Sequence, residues 1–287
     1  MSYVTFAWIA TVLYGLEVVF GKLTSKHAIA NPWLFNFVWS FLVVLLTVPI
    51  AVANHAGVPS RWENLLITSV LYALSGILYI WAIHKLDVSV LSPLFNVRTG
   101  LTVILSAVLL GEILTPVQYA LVVLILVAGI FVSMDEKLSL RSFFTWPIAI
   151  GLANMVVIAF YGIYMKKTLA EVDYWTATAW IASLAQVYLL FTIPLFGRNL
   201  HKIKGRQLLG AGLMALVGGL GVLAANKGYE KNVTITSVII SLPISMIIAF
   251  IVSFVNPTLL EKHTVKVYAI RFAAASVMII AALRLSL

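Results

Sequence analysis

The chain has 287 residues, of which 62% are hydrophobic and 10% are charged, and its formal net charge at pH 7 is +9. A soluble domain carries about 25% charged residues, so this composition excludes a water-soluble globule and predicts a chain that folds in lipid. The sequence contains no cysteine, which excludes disulfides, thiol catalysis and cysteine metal sites. The positive charge is typical of loops beside anionic lipid, and no basic run with interleaved aromatic residues indicates nucleic-acid binding.

Ten apolar segments of the sequence are long enough to cross a bilayer as helices, which takes about 20 residues each. In chain order these spans 1 to 10 cover residues 3–22, 33–53, 64–83, 89–110, 116–134, 147–165, 174–196, 207–226, 234–255 and 267–285. Short polar segments connect them, and none is long enough to hold a soluble domain. The predicted fold class is therefore an all-α integral membrane protein with ten transmembrane helices.

Glu17 in span 1 and Arg98 in span 4 are charged side chains well inside apolar segments. Insertion scales give roughly 2.5–3.5 kcal/mol for an arginine at the bilayer centre, so Arg98 is expected to face an internal polar path. At 1.5 Å per residue the two groups lie roughly 8 and 14 Å from the same membrane surface, within reach of one another. The sequence leaves three interpretations of Glu17 open: a static ion pair with Arg98, a coupling or substrate role, and exposure near the interface.

Spans 3 and 6 each present a weakly polar, aromatic face at helical spacing. The residues concerned are Tyr72, Ser75, Gly76 and Tyr79 in span 3, and Asn154 and Tyr161 in span 6. Such faces can stack on an organic solute or form hydrogen bonds with it. Aromatic stripes in membrane helices also serve packing alone, and this alternative remains open.

The second half of the sequence repeats a pattern of the first half. Ser92-Pro93 is followed 19 residues later by Glu112, and Leu242-Pro243 is followed 18 residues later by Glu261. The two patterns are offset by 150 positions at the prolines (243 − 93) and by 149 at the glutamates (261 − 112). This offset predicts two repeats, residues 1–137 and residues 145–287, with five spans in each. An odd number of spans forces the two repeats into opposite orientations, which is typical of several transporter architectures.

The two matched prolines are expected to interrupt spans 4 and 9. Pro93 and Pro243 each remove a backbone donor, which frees carbonyl groups to line a cavity and allows a hinge; the alternative is a plain kink. Alignment on these prolines places Ser241 and Ser245 opposite the face of Arg98, in a stripe that begins at Ser237. Two such polar faces favour a shared cavity, although serine stripes also serve close helix packing.

The motifs resemble a known family. The resemblance is carried by Trp81, by Lys85-Leu86-Asp87-Val88-Ser89-Val90-Leu91-Ser92-Pro93-Leu94, by Leu109-Leu110-Gly111-Glu112 and by Ala128-Gly129-Ile130. Together they resemble the EamA repeat of the drug/metabolite transporter superfamily. The second repeat departs from it, with Leu259-Leu260-Glu261 lacking the glycine and Ala281-Ala282 standing where Ala-Gly is expected. The resemblance implies a ten-helix transporter whose central cavity is built from spans 1, 3, 4, 6, 8 and 9, with spans 5 and 10 peripheral.

The sequence therefore predicts a secondary transporter that moves a small organic metabolite, an amino acid or an organic anion or zwitterion, by alternating access. A coupling proton or ion is an additional expected partner, besides membrane lipid. The alternative is a flippase for lipid-linked substrates or another lipid-handling protein, for which the basic segment from Arg198 to Arg206 is the candidate. We expect no enzymatic activity, cofactor or metal, because no catalytic or phosphate-binding motif is present.

The expected location is a prokaryotic inner membrane, crossed many times. Segments that follow odd-numbered spans hold 11 Lys and Arg, and the opposite side holds 6. This asymmetry would place both termini outside by the positive-inside rule, whereas the resemblance implies the cytoplasmic side. The sequence leaves the orientation open.

Overall fold

The computed structural model describes residues 2–86, 88–132, 145–200, 203–255 and 265–286, and these ranges contain helices but no β-strand. In chain order the helices are α1 (Tyr3–His27), α2 (Pro32–Ala53), α3 (Glu63–Lys85), α4 (Val88–Leu110), α5 (Pro116–Val132), α6 (Trp146–Glu171), α7 (Tyr174–Leu190), the single turn α8 (Gly197–Leu200), α9 (Gly205–Lys231), α10 (Val233–Ile240), α11 (Ile244–Val255) and α12 (Val265–Ser286). A 3₁₀ turn at Ile193–Leu195 precedes α8. The prediction of an all-helical chain is confirmed.

Six apolar helical segments of the described residues are long enough to cross a membrane. They are α1, α2, α3, α6, α9 and the segment Val233–Val252, and α4 and α5 add the shorter apolar stretches Leu94–Leu110 and Pro116–Gly129. Large apolar side chains such as Leu45, Ile104 and Val108 stay exposed on the outer surface, as a lipid-facing surface requires. The chain is therefore a multi-pass membrane protein.

Polar residues between the spans begin several of the helices. The side chain of Asn31 accepts hydrogen bonds from backbone N–H groups in the first turn of α2, and Asp173 does the same for α7. Asn232 caps α10 by accepting from the backbone N–H of Ile235 at 2.7 Å. These caps satisfy donors that have no partner within a helix, and they explain why the helices begin where short polar segments interrupt the apolar sequence.

Span 9 is broken at its proline. Helix α10 ends at Ile240, α11 begins at Ile244, and Pro243 lies buried in the break. Because Pro243 has no N–H, the carbonyl of Ile239 loses its usual donor four residues later. The hydroxyl of Thr11 on α1 lies 2.9 Å from that carbonyl oxygen and supplies a substitute hydrogen bond. The interruption predicted for span 9 is thus present and is stabilised from another helix.

Span 4 differs from this expectation. The α4 backbone is helical from Val88 to Leu110 without interruption, so the predicted break at Pro93 is wrong for the backbone. Pro93 occupies the sixth position of α4, just past the four N–H groups that lack helical partners, so its missing N–H removes one hydrogen bond near the start of the helix without ending it. The Pro93 side chain lies outside the described residues, as does the matched Glu261.

Two glycines of α9 allow close contact between α1 and α9. A side chain at Gly218 would collide with the carboxylate of Glu17, and a Cβ at Gly221 would lie 2.9 Å from the ring of Tyr14. Both positions need glycine because larger residues would push α9 away from the polar face of α1. This packing places the Glu17 side chain in the interior of the protein.

Candidate functional site

A central cavity of about 830 Å³, counted out to its mouth, lies among the long helices. Its lining residues are Thr11, Tyr14, Gly15, Glu17 and Val18 of α1, Trp39 of α2, Tyr72, Ser75, Gly76 and Tyr79 of α3, Phe95 and Arg98 of α4, Ile158 and Tyr161 of α6, Val222 and Tyr229 of α9, Ile240 of α10, Leu242 in the break, and Ser245 of α11. Because this volume includes open space at the mouth, the lining residues rather than the volume indicate what the cavity can hold.

Most of the residues singled out in the sequence lie on this cavity. Those that line it are Glu17, Tyr72, Tyr79, Arg98, Tyr161 and Ser245. Asn154, Ser241 and Pro243 are not among its lining residues, and the side chain of Pro93 lies outside the described residues. The helices predicted to form the cavity all contribute, and α2 adds Trp39, which the resemblance did not imply.

Arg98 is buried, with 5% of its surface exposed. One of its terminal nitrogens, Nη2, donates a hydrogen bond to the hydroxyl of Tyr229, and its Nε has no hydrogen-bond partner among the described residues. No described carboxylate forms an ion pair with it. The guanidinium therefore faces the cavity with its charge uncompensated by the protein.

Glu17 is buried as well, with 4% of its surface exposed, so the interpretation of exposure near the interface is wrong. Its carboxylate lies against Gly218 and lines the cavity. It makes no ion pair with Arg98, whose contact is Tyr229 instead, and the static pair suggested by the sequence is absent from this structure. The helical depths placed both groups near one level, but depth along an axis does not determine which way each side chain points.

Aromatic rings form much of the remaining wall. The rings of Tyr72 and Tyr161 lie 5.6 Å apart, and those of Tyr161 and Tyr229 lie 6.5 Å apart at 76°. On the opposite wall Trp39 and Tyr79 are 6.1 Å apart. Because aromatic rings offer apolar faces and hydroxyl groups at once, this wall can enclose the carbon skeleton of an organic solute.

Sequence reasoning missed Tyr229, which holds Arg98. Span 8 was predicted to end at residue 226, whereas α9 continues to Lys231 through a polar last turn. Tyr229 thus lay outside the apolar segment in which site residues were sought. Tyr14 was also missed, although its position three residues before Glu17 places both on one helical face.

The serine stripe of span 9 does not form one continuous face of the cavity. Ser245 lines the cavity, but Ser237 and Ser241 are buried, and Ser241 accepts a hydrogen bond from the hydroxyl of Thr99 on α4 at 2.6 Å. The stripe was predicted at helical spacing across Pro243, and the break there separates its two ends. Within the stripe, Ser241 is bonded to α4 and Ser245 lines the cavity.

Asn154 is fully buried but is absent from the cavity lining. Neither polar atom of its amide has a hydrogen-bond partner among the described residues. Ile158, one helical turn further along α6, does line the cavity. The shared face predicted for Asn154 and Tyr161 therefore extends one turn past the cavity.

A second polar cluster lies at the end of α4, outside the spans. After Gly111, which has a φ of +66°, the carboxylate of Glu112 accepts a hydrogen bond from Lys166 Nζ at 2.5 Å. It also accepts from the backbone N–H groups of Val233 and Thr234, each at 3.0 Å. Burial raises the pKa of Glu112, but the donors of Lys166, Val233 and Thr234 together lower that pKa below the ordinary value. Glu112 is therefore charged at neutral pH.

Comparison with known proteins agrees with the motifs. Residues 1–134 match the model of the EamA-like transporter family. The first half of the chain is thus similar to the EamA family. The resemblance of the sequence to the drug/metabolite transporter superfamily is thereby confirmed.

Two further similarities bear on the fold and class of the chain. An uncharacterized transporter of Vibrio cholerae is 25% identical over 195 residues, which are 63% of this chain and 60% of that protein. A solved crystal structure superposes with a TM-score of 0.75 at 15% sequence identity, covering 100% of this chain and 99% of the other. At that identity the likeness shows the fold alone.

Proposed function

We propose that the protein is a secondary transporter for a small organic zwitterion or anion, such as an amino acid, which it moves by alternating access around the central cavity. The EamA family and the transporter from Vibrio cholerae support the general class. The observation that carries the proposal is that an acidic and a basic side chain, Glu17 and Arg98, line one aromatic cavity without pairing with each other.

The electrostatics of the cavity favour a solute with a negative group. A buried guanidinium without a counter-ion is costly, and a carboxylate can bind it through two parallel hydrogen bonds. Glu17 can accept an ammonium group in the same way, while the rings of Tyr72, Tyr79 and Tyr161 enclose the apolar part of the solute. A zwitterion compensates both charges, whereas a simple anion leaves Glu17 to bind a proton or another cation.

The arrangement of the cavity supports alternating access between two inverted repeats, residues 1–137 and 145–287. Helices α1 to α4 supply one wall, and α6 together with α9 to α11 supplies the other. The starts of α1 and α6 differ by 143 positions (146 − 3) and their ends by 144 (171 − 27), so these two helices correspond. A cavity between two such halves is the expected place for a substrate site.

Equivalent lysines support the same symmetry. Lys22 of α1 and Lys166 of α6 differ by 144 positions (166 − 22). Lys22 Nζ donates to the carbonyl of Leu86 just after α3, at 2.7 Å, and Lys166 Nζ donates to the carbonyl of Lys231 at the end of α9, at 3.2 Å. Five membrane crossings in each half would invert the halves relative to each other, and these matched contacts would then lie at opposite ends of the molecule.

Counterflow into liposomes tests the proposed function. Purified protein is reconstituted with a mixed internal pool of amino acids, organic acids, sugars, phosphorylated metabolites and organic cations, and exchange is read by mass spectrometry. We expect saturable exchange of a zwitterion or anion that Arg98→Ala reduces at least about a hundredfold, because a buried charged hydrogen-bonding partner of the solute is lost. Arg198→Ala, which removes an exposed arginine, is the matched control and keeps wild-type exchange.

Three outcomes contradict parts of the proposal. Wild-type exchange by Arg98→Ala removes Arg98 from the substrate site. Exchange of organic cations alone overturns the charge argument. Absence of exchange for every solute, with movement of lipid-linked substrates across the bilayer instead, favours the lipid-handling alternative.

We further propose a prokaryotic inner membrane as the location and a proton as the coupling ion. A pH gradient applied in the same assay tests the coupling ion.

A further inference from the structure

Glu112 connects the two halves of the molecule at one end of the cavity. It follows α4 in the first half, and its donors among the described residues, Lys166, Val233 and Thr234, belong to the second half. Its Oε2 also accepts from the hydroxyl of Thr234 at 2.9 Å. A single carboxylate thus receives four hydrogen bonds across the boundary between the two halves.

The contact continues from Glu112 towards the cavity as a row of hydroxyl groups. Ser106 of α4 forms a hydrogen bond with Thr234 of α10, and Thr99 forms one with Ser241, which precedes the cavity-lining Leu242. Each pair of residue numbers adds up to 340, as expected of two antiparallel helices in register. The α4–α10 contact therefore lies between the cavity and the Glu112 end of these helices.

The middle of this contact is incompletely bonded. Thr102 and Ser237 lie between the two bonded pairs, both are buried to within 1% exposure, and neither hydroxyl has a hydrogen-bond partner among the described residues. A contact held tightly at its outer end and loosely in its middle can separate without the loss of many bonds once the outer end is released. The outer end is Glu112.

We propose that Glu112 is the lock of the cavity on this side, and that release of its carboxylate from Lys166 and from the start of α10 opens the cavity to the membrane surface at the α4–α5 connection. This inference rests on the proposed transport function. It assigns to Glu112 a gating role that differs from substrate binding, since Glu112 is not among the residues lining the cavity.

The position of the lock suits a contact that must break and re-form. The Glu112 side chain is 9% exposed and that of Lys166 is 26% exposed, so both groups are close to the aqueous surface. On separation water can hydrate the carboxylate and the ammonium, which is impossible for a pair at the bilayer centre. The gate can therefore open without leaving an unhydrated charge in lipid.

The absence of natural cysteines makes a direct test possible. Val222→Cys places a single thiol on the cavity wall, and a membrane-impermeant maleimide is added to either face of proteoliposomes holding the full chain. Glu112→Gln in this background is expected to raise labelling from the face of the α4–α5 connection about tenfold, because the loss of charged hydrogen bonds shifts the open fraction, and a tenfold shift corresponds to about 1.4 kcal/mol.

Glu230→Gln is the matched control. Glu230 also pairs with a lysine, Lys227 at 3.2 Å, but both residues belong to α9, so this pair does not connect the two halves. Its replacement is expected to leave labelling unchanged. If Glu112→Gln raises labelling no more than Glu230→Gln does, the lock is overturned and Glu112 is a helix cap only.

A cross-link keeps the inference testable if Glu112→Gln fails to fold. Oxidation of the double variant Ser106→Cys/Thr234→Cys is expected to abolish counterflow. In the Val222→Cys background it is also expected to abolish labelling from this face. Reduction is expected to restore both, and the single variants are the controls. Transport that continues while the cross-link is intact overturns the gate. If the unmodified chain shows no counterflow at all but Val222→Cys is still labelled differently in the Glu112 variants, the proposed function fails and the lock stands.

Discussion

The ionisable groups at the end of the cavity have many hydrogen-bond partners in the protein, whereas those inside the cavity have few. Near the membrane surface, Glu112 accepts four hydrogen bonds and pairs with Lys166 at 2.5 Å. Deeper inside, Arg98 donates to the hydroxyl of Tyr229, and Glu17 receives no hydrogen bond from any described residue. Burial without a partner costs more free energy for Arg98 and Glu17 than for the groups near the membrane surface, which supports the proposal that a solute supplies their partners.

The largest effect is expected from removal of the central positive charge. Arg98→Met should reduce transport at least about a hundredfold, yet raise the free energy of unfolding by about 1–3 kcal/mol, because an uncompensated buried charge is replaced by an apolar side chain of similar length. Counterflow and thermal unfolding in detergent measure the two quantities on the same preparation. A variant that loses stability along with transport would mean that Arg98 is structurally paired after all.

Removal of the positive charge at the membrane surface should act in the opposite direction. Lys166→Met leaves the carboxylate of Glu112 without its ammonium partner, and a destabilisation of about 1–2 kcal/mol is expected, reduced from the buried-pair value by the exposure of Lys166. Chemical denaturation in mixed micelles checks this value. Equal or higher stability would erase the contrast between the two regions.

Acid should weaken the outer contact in a defined pH range. The pKa of Glu112 in the folded protein lies below the ordinary value of 4.5. Burial is the largest single cause and raises this pKa, but the hydrogen bonds from Lys166, Val233 and Thr234 together lower it by more. Its contribution to stability is therefore complete above pH 4.5 and is lost as the pH falls through the lower folded pKa. The difference in melting temperature between the wild-type protein and Glu112→Gln should shrink over this range; a constant difference would contradict the assignment.

The smallest effect is expected from the hydroxyl that holds Arg98. Tyr229→Phe removes that hydrogen bond but keeps the ring, so half-saturation for the solute should rise about threefold to tenfold, with little change in the maximal rate. Concentration-dependent counterflow separates the two parameters. Tyr174→Phe, which loses a hydrogen bond to the carbonyl of Leu223 away from the cavity lining, is the control.

The helices were largely predictable from hydropathy, because in lipid the backbone must satisfy its own hydrogen bonds and apolar segments of sufficient length become helices. The charged residues of the cavity were predictable for a related reason: Glu17 and Arg98 stand out in apolar segments where charge is costly. The inverted ten-helix repeat stays a prediction, supported by the equivalence of Lys22 and Lys166.

Other features depended on contacts between distant parts of the chain. Pro93 and Pro243 look alike in the sequence, but only Pro243 coincides with a break in the described backbone. There the carbonyl of Ile239 accepts from the hydroxyl of Thr11 as well as from the backbone N–H of Leu242. Tyr229 lies in a polar helical turn that hydropathy treats as a loop. The direction in which Ser241 points follows from the break and from its contact with Thr99, and neither is a local property of span 9.

The hydrogen bond from Thr11 to Ile239 joins residues 228 positions apart, and it makes the bend between α10 and α11 a property of two segments of the chain. A peptide cut out as residues 233–255 would carry the proline but not the hydroxyl that accompanies it. Its bend angle would be set by solvent or lipid, and a chimaera that exchanged only this segment between two related proteins would carry the kink of neither parent. Transplantation of the bend requires the first three turns of α1 as well.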